Sequence, residues 1–406
     1  MHVLIFNIYF HPEPTGTGLV IGQLAADLAA LGHQVTVVTT VPHYGLDREG
    51  DHHRGRLIVE EQWEGVRVLR TGVPDWFRKG WLSRLSKYLG YTTLAVPAGL
   101  RAARPDVVLC VWPPLTTGLA ARLVSWWRKA PLVLNVQDVY PDAIFGGGIG
   151  PKLIRKVEHH LLARAARVTV LSEGLRHEVI QRGARPETAG VIPMWTDVEG
   201  IRPGVKENAF RVAHQLGGKF VVLYSGNIGT FSGVGVAIEA AAILKDVERI
   251  RFVIVGRGHG KETLLSQAQR LQLGNVMFLD TRPRDELQEL LAAADVSLVT
   301  LDPRIARTSV PSKAFTIMAS ARPVLAAMSP DNEVAKVVSE TGCGWCVPAD
   351  QPATLAQTIL AAMDNPSLDE MGASGRRYVE AHHTRHALTR RHADMLMAVR
   401  NIKTGR

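Results

Sequence analysis

Phe220-Val-Val-Leu-Tyr-Ser-Gly226-Asn-Ile-Gly229-Thr-Phe-Ser-Gly233 is an unbroken apolar run that stops in a cluster of glycines, and a helical pattern follows it. Such a run has no polar side to show to water, so it is a strand covered on both faces, as in a parallel sheet with helices above and below. The chain opens with the same device: residues 2–7 lead into Gly16-Thr-Gly18-Leu-Val-Ile-Gly22 and a helix reaching about Leu31. Further apolar runs at 34–40, 107–111, 132–136 and 168–171 form one series, and runs at 252–255, 276–279, 296–300 and 324–327 form another. The reading is α/β, with two Rossmann-like, doubly wound parallel-sheet domains at 1–198 and 199–380 facing a cleft, hinged within 191–208. Residues 381–406 are helical, feed no strand, and are expected to cross back and pack on the first domain. Residues 56–61 and 66–71, flanking Glu64-Gly65, read as an inserted hairpin.

Of 406 residues, 46% are hydrophobic and 21% charged, which excludes a disordered or fibrous chain and leaves enough apolar material for two cores. No apolar run reaches the ~18 residues of a membrane span. The first ten residues lack a basic leader and a small-residue cleavage site, so they read as a strand and not a signal peptide. Three cysteines are too few for a disulfide framework and fit a reducing, cytoplasmic setting. Lysine and arginine number 47 against 38 acids, a net charge of +9. Anions should be attracted, and charge alone does not choose among nucleic acid, phosphoanhydrides and acidic lipid.

Glycines after a strand let the backbone turn sharply and approach a ligand, while free N–H groups at a helix start favour negative charge. The first turn is G-x-G-x-x-x-G, one residue longer than the dinucleotide fingerprint, and the next strand ends at Thr39-Thr40 with no acid for a ribose. That argues against NAD. A further turn, Val255-Gly-Arg257-Gly-His-Gly-Lys261, brings two cations. At Pro311-Ser312-Lys313 a helix begins with Ser and Pro supplying a cap and a preset φ. Lys313 there opposes the helix dipole, which makes sense if an anion sits beside it; the alternative is a solvated lysine.

These pieces, with Val-Ile-Pro before the hinge, Ser-Gly-Asn-Ile-Gly, Val-Gly-x-Gly and Pro-Ser-Lys-x-Phe-x-x-Met-Ala-Ser-x-x-Pro-Val, resemble glycosyltransferase family 4 over essentially the whole chain. The nearest likeness is to the branch that builds bacterial surface polysaccharides. The resemblance implies the GT-B fold, a retaining transfer of a hexose, N-acetylated or deoxy, from a UDP-sugar to a lipid-linked or other saccharide acceptor, no metal or cofactor, and no nucleic acid partner. The alternatives are a nucleotide-sugar 2-epimerase and a catalytically silent sugar-nucleotide binder. Without a metal, the charge developing on the departing diphosphate must be met by cations and backbone N–H groups. Lys313 and Arg257 then serve catalysis; Gly16, Gly18, Gly226, Asn227, Lys261 and Ser312 hold the donor, with Thr281 and Arg282 near the base. The family's E-x7-E glutamate pair falls on Thr308 and Thr316, and a threonine can still bond a ribose hydroxyl, without charge assistance. The family's Arg and Lys of the first turn fall on Asn227 and Ser232.

In the first domain, Asn135-Val-Gln-Asp138-Val-Tyr-Pro-Asp142 follows a strand at the edge where parallel-sheet ligands bind. Asp138 matches the family's site acid, to orient or deprotonate the acceptor; its other reading is a turn cap. His11, Glu13 and Trp112 are acceptor-side candidates. Cys343-Gly-Trp-Cys346 reads as packing in a short strand and His382-His383-Thr-Arg-His386 as an exposed polar helix face, in place of a redox pair and a zinc site. Residues 76–104 hold six cations and no acid, interleaved with Trp76, Phe77, Trp81, Leu82, Leu85, Tyr88 and Leu89. This segment suits an anionic leaflet at the cytoplasmic membrane face, or a helix packed on its own sheet.

Overall fold

The computed structural model describes residues 1–13, 16–42, 57–72, 81–139, 149–307 and 309–404, the side chains of 81–87, 149–151 and 402–404 excepted. Contacts divide the chain into two units, Met1–Met194 with Leu388–Arg406, and Trp195–Ala387.

The first unit is built on an eight-stranded sheet: β1 (His2–Phe6), β2 (Gln34–Thr40), β3 (Ile58–Trp63), β4 (Val66–Thr71), β5 (Val107–Trp112), β6 (Leu132–Val136), β7 (Arg167–Val170) and β8 (Ala189–Val191), in the order β3-β4-β2-β1-β5-β6-β7-β8. Every pairing is parallel except β3 with β4. The expected hairpin is therefore corrected in one respect. β4 also pairs in parallel with β2, from Thr36 opposite Arg67 to Thr40 opposite Thr71, so the hairpin extends the sheet and is no insertion. Glu64 (φ 45°) and Gly65 (φ 77°) both turn left-handed, as a two-residue loop that matches strand twist requires. Residues 43–56, including Arg56, lie outside the described residues. β8, three residues containing a glycine, is no part of the apolar series read from the sequence and ends at Val191, where the interdomain stretch begins.

The second unit carries six parallel strands: β9 (Phe220–Ser225), β10 (Ile250–Val255), β11 (Val276–Leu279), β12 (Val296–Thr300), β13 (Val324–Ala327) and β14 (Gly344–Val347), ordered β11-β10-β9-β12-β13-β14. Counted from its own first strand that is 3-2-1-4-5-6, the dinucleotide-fold order, with its reversal between β9 and β12. The apolar continuity of β9 has a physical cause: Phe220, Val222 and Tyr224 enter one core while Val221 and Leu223 enter the other. Each such side chain, fully buried, contributes about 1.5–3 kcal/mol.

From Tyr91 onward the helix Trp81–Arg101 spends its inner face on its own unit: Tyr91, Ala95 and Ala98 are fully buried, and the Tyr91 hydroxyl donates to the Val38 carbonyl at 3.0 Å. Trp76, Phe77, Arg78 and Lys79 lie outside the described residues. No helix among the described residues is long and apolar enough to cross a membrane. The last helix, Arg385–Thr404, lies against the first unit, where Thr389 donates to Asp27 at 2.9 Å and Arg391 to the Val191 carbonyl at 2.9 Å.

The histidine tract is corrected. His382 ends the helix Leu368–His382 and Arg385 begins the next, so no single helix carries both His382 and His386. His383 is 3% exposed, its ring stacked on Phe315 at 3.9 Å. Cys343 is buried and Cys346 lies in β14, and burial raises both thiols, that of Cys346 to about 11. Neither is a thiolate near neutral pH, as packing residues should be.

Candidate active site

At the carboxyl end of β9, two glycine turns that the sequence presents separately form one construction. Gly226 donates its N–H to the Val255 carbonyl at 3.0 Å, Ile228 to Arg257 at 2.9 Å, and Gly260 to Ile228 at 3.0 Å. The approach demands glycine: Gly226 and Gly256 hold φ of +149° and +158°, and a Cβ on Gly256 would lie 1.9 Å from the Gly226 oxygen. The backbone is thus brought to the strand ends at the reversal in strand order, where doubly wound sheets bind ligands.

Lys313 reaches this turn from the helix Lys313–Ala319. Its Nζ lies 3.9 Å from the centroid of the Tyr224 ring and 3.1 Å from where a Cβ on Gly226 would stand. The Tyr224 hydroxyl donates to the Asn227 carbonyl at 2.8 Å, tying ring to turn. Burial pushes the Lys313 ammonium down to about 7, since charge is costly there and no carboxylate compensates it among the described residues. The ring face recovers part of that cost. Tyr224 escaped the sequence reading, although strand alternation places it on the same face as Phe220 and Val222.

Ser312 precedes this helix, but its hydroxyl makes no capping bond, contrary to expectation, because its backbone is already helical. Ser312, Lys313 and Thr316 share the wall of a cavity of about 210 Å³ with Ser225. The Thr316 hydroxyl stands 3.4 Å from that of Thr196. Thr308 lies outside the described residues. Asn227 and Arg257 are exposed, and the Arg257 guanidinium has no acceptor among the described residues. Ser232 donates to the Gly229 carbonyl at 2.8 Å and so serves the turn itself.

The other cations are committed. Lys261 donates to Asp280 at 2.5 Å and to the Leu279 carbonyl at 3.2 Å, and holds the Asp280 carboxyl below its ordinary range. Arg282 donates to His214 at 3.1 Å and stands 3.6 Å from Glu286, next to the exposed Thr281.

In the first unit, Gly16 and Gly18 occupy the first turn of the helix Gly16–Ala30. A Cβ on Gly16 would meet nothing within 4 Å, so packing does not demand glycine there. His11 is exposed and stacks on Trp63 at 4.8 Å, while Glu13 is 3% exposed. Asp138 follows β6 and accepts the Val139 N–H at 2.9 Å. Burial raises its carboxyl to about 6, because few groups replace the water it loses. Residues 140–148, with Asp142, lie outside the described residues. Trp112 is corrected: at 1% exposed it belongs to the core, its ring against the site of a Gly118 Cβ, and it lines no wall.

A carboxylate poised near neutrality in one unit and an uncompensated ammonium beside a glycine turn in the other are the parts of acid–base work and of diphosphate binding. Comparison with known proteins agrees. Residues 15–195 match the model described as glycosyl transferase 4-like domain, and residues 205–378 the model described as glycosyl transferases group 1. WcaI of Escherichia coli (strain K12), named for glycosyl transfer in colanic acid biosynthesis, is 31% identical over 334 residues, 79% of this chain and 81% of WcaI. WbjE of Pseudomonas aeruginosa, named as a glycosyltransferase, is 29% identical over 277 residues, 66% of this chain and 69% of WbjE. The solved structure of Anabaena HepE with UDP-glucose superposes with a TM-score of 0.75 at 17% identity, covering 98% of this chain and 100% of HepE.

Proposed function

The chain belongs to glycosyltransferase family 4, with the GT-B fold, and from that premise we propose that it moves a hexose from a UDP-sugar to a lipid-linked saccharide during synthesis of a surface polysaccharide, with retention of configuration. The UDP assignment leans on the HepE complex and the polysaccharide on WcaI. The second unit takes the donor. The observation that carries the reading is Lys313, an ammonium with no counter-charge among the described residues, held over Tyr224 at the Gly226 turn. A diphosphate there supplies the missing anion, and Arg257 adds a second cation from the neighbouring turn.

In the reaction, the bond between the sugar's anomeric carbon and the diphosphate oxygen breaks, its electron pair leaving with UDP. A bond from the acceptor oxygen to that carbon forms, and the acceptor hydroxyl loses its proton. Lys313 and Arg257 stabilise the departing charge without a metal ion. Asp138, ionised above about 6, orients the acceptor hydroxyl or receives its proton. On this reading Thr316, which shares a cavity wall with Lys313, bonds a ribose hydroxyl, and Thr281 with Arg282 meets the base. The test is UDP release from a panel of UDP-sugars by purified protein, with and without saccharide acceptors, in the presence of EDTA. Acceptor-dependent release is expected; interconversion of the donor without acceptor would replace transfer by epimerisation.

A further inference from the structure

The helix Leu115–Arg128 exposes what a folded unit normally hides. Leu123, Trp126 and Trp127 are 53, 66 and 67% exposed, and their i, i+3, i+4 spacing makes them one stripe. Behind the two indoles opens a groove of about 1180 Å³ whose lining includes Arg122, Lys129, Arg164, Arg167 and Arg185 against a single acid, Glu187. The Arg167 Nε has no acceptor among the described residues. The neighbouring helix Ile149–Arg164 continues the pattern with exposed Lys152, Lys156 and Leu153, while its one acid, Glu158, is buried. Both helices run from the carboxyl edge of the sheet, where Asp138 lies, to the opposite edge.

We propose that this face docks on an anionic phospholipid bilayer, the indoles and Leu123 entering the interfacial layer and the groove receiving headgroup phosphates. Tryptophan prefers the headgroup level because its ring is apolar and its N–H is polar. Arginine suits phosphate through its fork of donors. The charge sorting names the occupant: Arg185 stands 3.6 Å from Glu187, but the other cations have no carboxylate partner among the described residues. A neutral protein patch would leave them unmatched, whereas an anionic leaflet matches them, strengthening binding roughly fivefold for each cation near the surface. The face lies apart from the buried inner side of the helix Trp81–Arg101. It would hold the chain on the leaflet that carries a lipid-linked acceptor and rests on that reading only for its purpose, because vesicle binding and sugar transfer are measured separately and either can fail alone.

The experiment is co-sedimentation of the full chain with phosphatidylcholine vesicles with and without phosphatidylglycerol, over a range of salt, for the wild type, the double variant W126S/W127S and the double variant K152E/K156E. Binding is expected only with phosphatidylglycerol and weaker as salt rises. The tryptophan variant should bind about tenfold less and the lysine variant at least tenfold less, with melting temperature and transfer to a water-soluble acceptor unchanged. Equal binding of all three proteins, or equal binding to neutral vesicles, overturns the proposal. So does self-association that W126S/W127S abolishes in a protein that binds no vesicle, which would make the face an interface between copies.

Discussion

The Lys313 ammonium rests 3.9 Å from the centroid of the Tyr224 ring, and no carboxylate pairs with it among the described residues. A cation so placed is held in readiness for an anion. Lys313→Met should lower kcat/KM roughly 10²-fold, the usual effect of removing one group that meets developing charge. Lys313→Arg should recover part of it. Steady-state kinetics with a UDP-sugar decides this, and an unchanged kcat/KM in Lys313→Met removes the lysine from the site.

The pH dependence follows from two buried groups. Asp138 must lose its proton, which happens above about 6, and Lys313 must keep its own, which happens below about 7. The kcat/KM profile should therefore be a narrow bell with its maximum between these values. In Lys313→Arg the alkaline limb should vanish, since a guanidinium stays charged, while the acid limb stays. Diphosphate binding favours the protonated lysine, so UDP affinity should fall as pH rises through about 7 in the wild type and stay flat in Lys313→Met.

Gly226→Ala places a methyl group 3.1 Å from the Lys313 Nζ at a φ of +149°. Displacement of the lysine should weaken UDP binding several-fold, and backbone strain should cost about 1–3 kcal/mol of stability. Gly256→Ala is worse, since its Cβ would meet the Gly226 oxygen at 1.9 Å, and should lower the melting temperature more. Differential scanning fluorimetry with and without UDP separates the two effects.

Away from the site, Arg211 is 2% exposed and donates to Asp295, 6% exposed, which also accepts the Val221 N–H at 2.8 Å and pairs with Lys206 at 2.8 Å. Arg211→Met leaves Asp295 with Lys206 and the Val221 N–H and should cost about 1.5–3 kcal/mol in denaturant unfolding, the usual worth of a hydrogen bond to a charged group. Asp295→Asn, which keeps an acceptor, should cost less, and the double variant less than the sum of the two.

Much of this was legible because a parallel strand buried on both faces has to be apolar throughout. Residues 220–225 and 132–136 declare themselves and bound β9 and β6 without adjustment. β8 escaped because three residues with a central glycine carry no period. Lys313 and Asp138 were found through motif and position, but their charge states depend on burial, which no spacing encodes. Trp112 misled because a bulky aromatic at a strand's end suits a wall and a core equally, and only packing against Gly118 decides. Tyr224 and the lacing of Gly226 to Gly256 are tertiary facts: each is a short-range feature whose partner lies in another turn of the chain or on another element.

The most direct measurement is isothermal titration of UDP into the wild type and Lys313→Met at pH 6.5 with EDTA present. Binding by the wild type, weakened roughly thirtyfold in the variant as loss of a charge-assisted contact of about 2 kcal/mol requires, is the expected result. Equal affinity for both proteins, or binding that disappears on chelation, contradicts a diphosphate held by Lys313 in place of a metal ion.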